Sequence, residues 1–163
     1  MKKTISLILI FFLVLLFYPV LRLQLIDVES GKVLKSFSIK NGQEFTIYFI
    51  HSVEKTPWFE IYYIENNEIY LKETKFFSYG AGLPSTTKHD FSFEEDGMHI
   101  RNYNVKMDPL IYRVGAVVAD HTIKVNGEEI HFNELAKPFN SILIRVEEVP
   151  IYRYLIKEVA YIE

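Results

Sequence analysis

Residues 51–60, HSVEKTPWFE, gather an imidazole, two hydroxyls, two carboxylates and the chain's single tryptophan. His51 with Glu54 or Glu60 is a donor set for a divalent metal, and His51 beside Ser52 invites a nucleophile reading. The spacing argues against both. On an extended strand successive side chains alternate, so His51 and Glu54 point to opposite faces, and a shared metal requires the strand to stop near Ser52, which Pro57 permits. An HExxH helix places two ligands one turn apart, and nothing of that kind occurs here. Ser52 lacks the strand-turn-helix setting of a nucleophile elbow. The competing reading is a histidine at a strand end, bonded to backbone, with Glu54 and Glu60 in solvent. Trp58 is either core or an aromatic anchor for a ligand or partner.

A second candidate follows at residues 76–84, FFSYGAGLP. Gly80-Ala81-Gly82 is no phosphate loop, because the dinucleotide fingerprint needs a third glycine and a helix, whereas Leu83-Pro84 follows. Glycines around Ala81 supply backbone conformations that a side chain forbids, and Pro84 stiffens the exit. The segment is expected to be a strand leaving its sheet through a shaped loop, with Ser78 and residues 80–84 open to a ligand or partner. Of the remaining histidines, His99, His121 and His131 fall in hairpin arms, where a partly buried, satisfied ring is the default. His89-Asp90 reads as a solvated turn.

The elements that must position these groups read as strands. Thirteen Phe and eleven Tyr stand against seven Gly and six Pro, a composition suited to pleated, half-buried surfaces. Asn66-Asn67, Asp96-Gly97 and Asn126-Gly127 each sit between alternating runs and predict tight hairpins, and Asn41-Gly42 and residues 29–32 predict further turns. EFTIYFIHSVE places Phe45, Ile47, Phe49 and His51 on one face and Thr46, Tyr48, Ile50 and Ser52 on the other. Both faces are apolar or aromatic, as in an inner strand. NELAKPF predicts one helical turn ended by Pro138, and the segments from residue 141 onward read as strands, the last also compatible with helical spacing. The fold class is all-β: an antiparallel β-sandwich or partly closed barrel built of hairpins.

Lys2 and Lys3 precede an uncharged run from Ile5 to Leu21. As a helix it spans about 26 Å, close to a bilayer core. Small residues expected before a cleavage site are missing, so the run predicts an uncleaved transmembrane signal anchor, residues 1–22, with an extracytoplasmic domain, residues 23–163, secreted only if the anchor is cut. Without Lys2, Lys3 and Arg22 the remainder carries 15 basic and 21 acidic side chains, a net charge near −6, which repels nucleic acid. Cysteine is absent, so thiolate metal sites, disulfides and thiol nucleophiles are excluded. No cofactor is implied.

HSV at 51–53, Glu60, and FSYGAGLP at 77–84 together resemble the family catalogued as domain of unknown function 1850. In that family a strand ends in His-Ser-Val, a Glu follows near a Pro, and a Phe-rich strand runs into Ser-aromatic-Gly-Ala-Gly-Leu-Pro. His121 falls where the family tends to have a histidine before its last hairpin, and Tyr79 stands where phenylalanine is usual. The similarity covers most of residues 23–145. It implies a small exported or anchored β-protein, of no established activity, often encoded beside the permease and solute-binding components of TAXI-type TRAP transporters. The expected function is therefore a non-enzymatic, membrane-anchored accessory partnering a transporter permease or solute-binding subunit. A carbohydrate- or small-ligand-binding sandwich, and a metal site or metal-dependent enzyme at His51, Glu54 and Glu60, are the alternatives.

Overall fold

Turn chemistry organises the chain. In the computed structural model, which describes residues 2–78, 87–116 and 119–153, nearly every expected turn joins two paired strands. Helix α1 (Lys2–Leu16) is followed by β1 (Pro19–Asp27), β2 (Val33–Ser38), β3 (Glu44–Ile50), β4 (Pro57–Glu65), β5 (Glu68–Phe76), β6 (Asp90–Glu94), β7 (Gly97–Lys106), β8 (Leu110–Arg113), β9 (Thr122–Val125) and β10 (Glu128–His131). A short helix α2 (Phe132–Leu135) then leads into β11 (Ser141–Pro150). Asn66 and Asn67 adopt φ of 51° and 64°, and Asn126 and Gly127 adopt 54° and 83°. Positive φ at both central residues matches the right-handed twist of the flanking strands. The β6–β7 turn falls one residue earlier than expected: Glu94 pairs with Gly97, leaving Glu95-Asp96 as the turn. Gly97, at φ 132°, opens β7 where an added Cβ would lie 2.9 Å from the Phe76 carbonyl.

The strands form one sheet ordered β2-β1-β11-β8 and another ordered β10-β9-β3-β4-β5-β7-β6. Every pairing is antiparallel, and among the described residues neither sheet closes on itself, so the fold is a two-sheet sandwich and not a closed barrel. Leu23, Leu25, Ile142 and Ile144 from the smaller sheet meet Phe45, Ile47, Tyr62, Ile64 and Ile123 from the larger. Each such aliphatic side chain contributes about 1.5–3 kcal/mol of transfer free energy. The alternation expected for β3 holds, with Phe45 and Ile47 in the core and β3 inside its sheet between β9 and β4. Beyond the area opposite the smaller sheet, Phe76, Met98 and Ile100 make a second apolar cluster against Trp58 and Tyr103.

Two expectations are corrected. The apolar run Ile5–Leu21 is not one helix: α1 stops at Leu16, and Pro19 already begins β1, four residues before the expected domain boundary at 23. Proline disfavours helical backbone at the residue before it and offers no N–H to a helix, so Tyr18-Pro19 ends helical propagation. Among the described residues no helix is long and apolar enough to cross a membrane. The strand reading of the segment after residue 150 fails at 151–153, which turn helically, the alternative that its spacing allowed; the rest of that segment lies outside the described residues.

Side-chain contacts define the two ends of the sandwich. Leu21 and Arg22, near α1, lie opposite Glu148 and Ser38. Asn67 donates to Glu148 Oε1 at 2.8 Å, and Asn126 donates to the Ser38 carbonyl at 2.9 Å. The Asn66-Asn67 and Asn126-Gly127 turns therefore sit at the α1 end. β3 begins at that end and delivers His51 to the other.

Candidate functional site

The alternation of β4 sends Trp58, Glu60 and Tyr62 to the face that meets the smaller sheet, and this places a carboxylate at the rim of an aromatic core. Trp58 Nε1 donates to Glu60 Oε1 at 3.2 Å. On the other carboxylate oxygen, Glu60 Oε2 and the phenols of Tyr62 and Tyr112 form a closed triangle: Tyr62 donates at 3.0 Å, the two phenols lie 2.6 Å apart, and Tyr112 also donates. Tyr112 belongs to β8, so this triangle ties the two sheets together. Burial first, and the Glu60 charge second, push both phenols well above the usual tyrosine range. They stay protonated, as donors. Among the described residues no lysine or arginine pairs with Glu60.

Rings complete the setting. Trp58 stacks on Phe76 at 5.0 Å and lies 6.5 Å from Phe49 and 6.4 Å from His51. His121, just ahead of β9, lies 4.7 Å from Phe49, 5.3 Å from Tyr112 and 6.0 Å from Phe132. Burial lowers the His121 pKa, against an opposing push from Asp120, so the ring is neutral at neutral pH. Among the described residues its buried Nδ1 has no hydrogen-bond partner, and neither has Asp120 Oδ1 next to it. The backbone holds this segment closely: a Cβ at Gly115 would fall 1.8 Å from the Ala119 carbonyl oxygen. Tyr62, Phe76 and Phe132 form a buried floor, while His51, Trp58, Glu60, Tyr112 and His121 keep partial access to solvent.

The HSVE segment is a closed turn at the mouth of this cluster. His51 N–H donates to the Thr56 carbonyl at 2.9 Å, the Lys55 N–H returns to the His51 carbonyl at 2.9 Å, and the Glu54 N–H donates to His51 Nδ1 at 3.3 Å. His51 thus ends its strand with a bond to backbone, the structural alternative set out from the sequence, while Glu60 is held inside rather than in solvent. Ser52 is exposed. Ser78 Oγ lies 3.1 Å from Thr56 Oγ1, so the root of the GAGLP segment abuts the HSVE turn. Gly80, Ala81, Gly82, Leu83 and Pro84 lie outside the described residues. The structure accordingly brings His51, Trp58, Glu60, Ser78 and His121 to one end, with Glu54 joining through its backbone.

Metal-ligand geometry occurs elsewhere. Among the described residues, donor atoms of Glu94, Asp96 and His99 approach within 4.8 Å of one another, and those of His51, Glu54 and Glu60 do not form such a group. His99 bonds Glu73 through Nδ1 and Asp96 through Nε2 at 3.0 Å. His131 bonds Asp120 at 2.7 Å and Thr122 at 3.1 Å. Both are satisfied rings, as expected; His121 is not. His89 is no simple solvated turn, since its ring lies 4.4 Å from Tyr103. Sequence reasoning missed Tyr62 and Tyr112. Tyr62 was within reach, two residues past Glu60 and so on its face, whereas Tyr112 comes from the opposite sheet and carries no local signal.

Residues 45–132, more than half the chain, match the family described as Domain of unknown function (DUF1850). The protein belongs to that family. The match begins on β3 and ends at Phe132, so every member of the Glu60 cluster lies inside it, while β1, β2 and β11 lie outside. No curated protein and no solved structure matches the chain.

Proposed function

We propose that this DUF1850 protein is a non-enzymatic accessory module, anchored by its N-terminal segment and acting outside the cytoplasm beside a solute transporter of the TAXI-type TRAP class. The observation that carries the anchor is α1 itself: from Leu7 to Leu16 it is apolar around its whole circumference, and the β body leaves it uncovered, with Leu7, Leu9, Phe11 and Val14 more than 60% exposed. A helix apolar all round needs an apolar environment. Fifteen residues rise about 22 Å, short of the roughly 30 Å hydrocarbon core, so Phe17, Tyr18 and local thinning of the bilayer complete the span. The link to a transporter rests on the family resemblance. Support for a non-enzymatic body comes from the occupied state of the sequence candidates, since His51 bonds backbone and Ser78 bonds Thr56.

Photo-crosslinking in native membranes tests this reading, with the reactive residue at Val53, 61% exposed on the HSVE turn, and a control at Asn126 at the α1 end. Capture of a permease or solute-binding subunit from Val53 alone supports it. Release of the full chain from membranes by alkaline carbonate, or capture of no transport protein from either position, overturns it.

A second reading is favoured by the Glu60 cluster, in which the sandwich binds a small ligand at its far end. Aromatic walls with a few convergent polar groups are the usual lining of such sites.

A further inference from the structure

We propose that the Glu60 cluster binds a small organic ammonium ion, its positive head against the Glu60 carboxylate and its apolar part against the faces of Trp58 and Phe49. The proposal rests on the small-ligand reading and gives its chemistry. Three independent observations converge on it.

The first is charge. Glu60 is half-buried, yet among the described residues its hydrogen-bond donors are an indole N–H and two phenols, all neutral. A carboxylate removed from water and left without a counter-cation is costly, and neutral donors recover only part of that cost. The site therefore favours a ligand that arrives with the missing positive charge. Anions are disfavoured for the same reason.

The second is the wall. Trp58 and Tyr112 both donate to the carboxylate and Phe49 lies 6.5 Å from Trp58, and the negative faces of such rings attract cations, tryptophan most strongly. The third is His121, whose ring packs 4.7 Å from Phe49 and whose buried Nδ1 has no hydrogen-bond partner among the described residues. A neutral imidazole nitrogen in the tautomer with hydrogen on Nε2 accepts an N–H, so a primary ammonium offers one donor to Glu60 and another toward His121. A quaternary ammonium satisfies only the rings.

Trp58, the only tryptophan, makes the site its own reporter. The full chain in detergent micelles is titrated with benzylamine, benzyl alcohol and benzoate, three probes of similar shape and different charge, while Trp58 emission is followed. The expected result is a saturable change with benzylamine at an affinity about tenfold or more above that of benzyl alcohol, with benzoate weakest. Glu60→Gln keeps the shape and an acceptor oxygen, and it should lower benzylamine affinity about tenfold or more, whereas Glu54→Gln should not. Should Glu60→Gln fail to fold, the order of the three probes on the unaltered protein decides. Benzyl alcohol or benzoate binding as tightly as benzylamine overturns the cation assignment and leaves the small-ligand reading in place. No saturable response to any probe overturns both, and neither outcome bears on the crosslinking of the anchored module.

Discussion

Glu60 and Glu73 sit on neighbouring strands of one sheet and face opposite ways. Glu73, on the outer face, meets His99 and, at 3.1 Å, Arg101 Nε; Arg101 in turn pairs with Glu94, and Lys75 pairs with Asp96 at 2.6 Å. That network carries its own cations. Glu60 points inward and, among the described residues, is met by neutral donors alone. The outer cluster has the denser array of titratable groups and the shorter ligand-to-ligand distances, yet it is self-neutralised and explains itself as structure. A group left unmatched is the better pointer to a ligand than a group crowded with partners.

That contrast can be broken by mutation. The largest effect should come from Phe132→Ala, which removes a fully buried ring beneath His121 and Tyr112 and should cost about 3–5 kcal/mol in urea unfolding. Next, Glu73→Gln should cost about 1–3 kcal/mol, because charged hydrogen bonds to His99 and Arg101 are lost. Glu60→Gln should cost less than about 1 kcal/mol, since it relieves a desolvated charge while retaining an acceptor. The reverse order would show that Glu60 serves stability and would remove the basis for calling it a site.

Acid unfolding separates the two regions by pH. Hydrogen bonds from Arg101 and Ser92 hold Glu94 at about 2, and bonds from Lys75 and His99 hold Asp96 at about 2. Both values lie below those of the unfolded chain, so the stability they confer is full above the ordinary carboxylate range of about 4 and is lost as pH falls toward 2. His121 acts in a higher window. Its folded pKa is lowered, so stability is full above about 6.5 and declines as pH falls below it, when the unfolded chain takes up the proton first. Thermal melts of His121→Phe should flatten the slope just below about pH 6.5 and leave the acid limb unchanged. The smallest effect is expected at Ser52, exposed on the turn: Ser52→Ala should shift stability by no more than about 0.5 kcal/mol, read by the same melts.

Much of the architecture was legible because turn residues and alternation are local. Asn66-Asn67 and Asn126-Gly127 named their hairpins, and β3 emerged as the inner strand that its two apolar faces predicted. The β6–β7 turn slipped by one residue because Gly97 was needed against the Phe76 carbonyl, a contact between strands. The helix length was misjudged for a different reason: hydropathy continues to Leu21, but backbone geometry changes at Pro19. At the site, the sequence named His51, Trp58, Glu60, Ser78 and His121 without showing that they share one end. Their meeting depends on β9, β3, β4 and β5 lying side by side in the larger sheet, and Tyr112 joins them from β8 across the sandwich; neither long-range strand order nor sheet-to-sheet packing leaves a periodic trace in a single strand.

Only Phe17 and Tyr18 separate α1 from β1, and the Tyr18 carbonyl accepts the Ile151 N–H at 3.1 Å. The tether has no slack. With α1 in a bilayer, the nine residues of β1 act as a fixed mast of about 30 Å, and the Glu60 mouth rides at its top. Its search is then confined to a thin layer at constant height above the lipid, a reduction from volume to surface that raises its effective concentration toward any membrane partner of matching height.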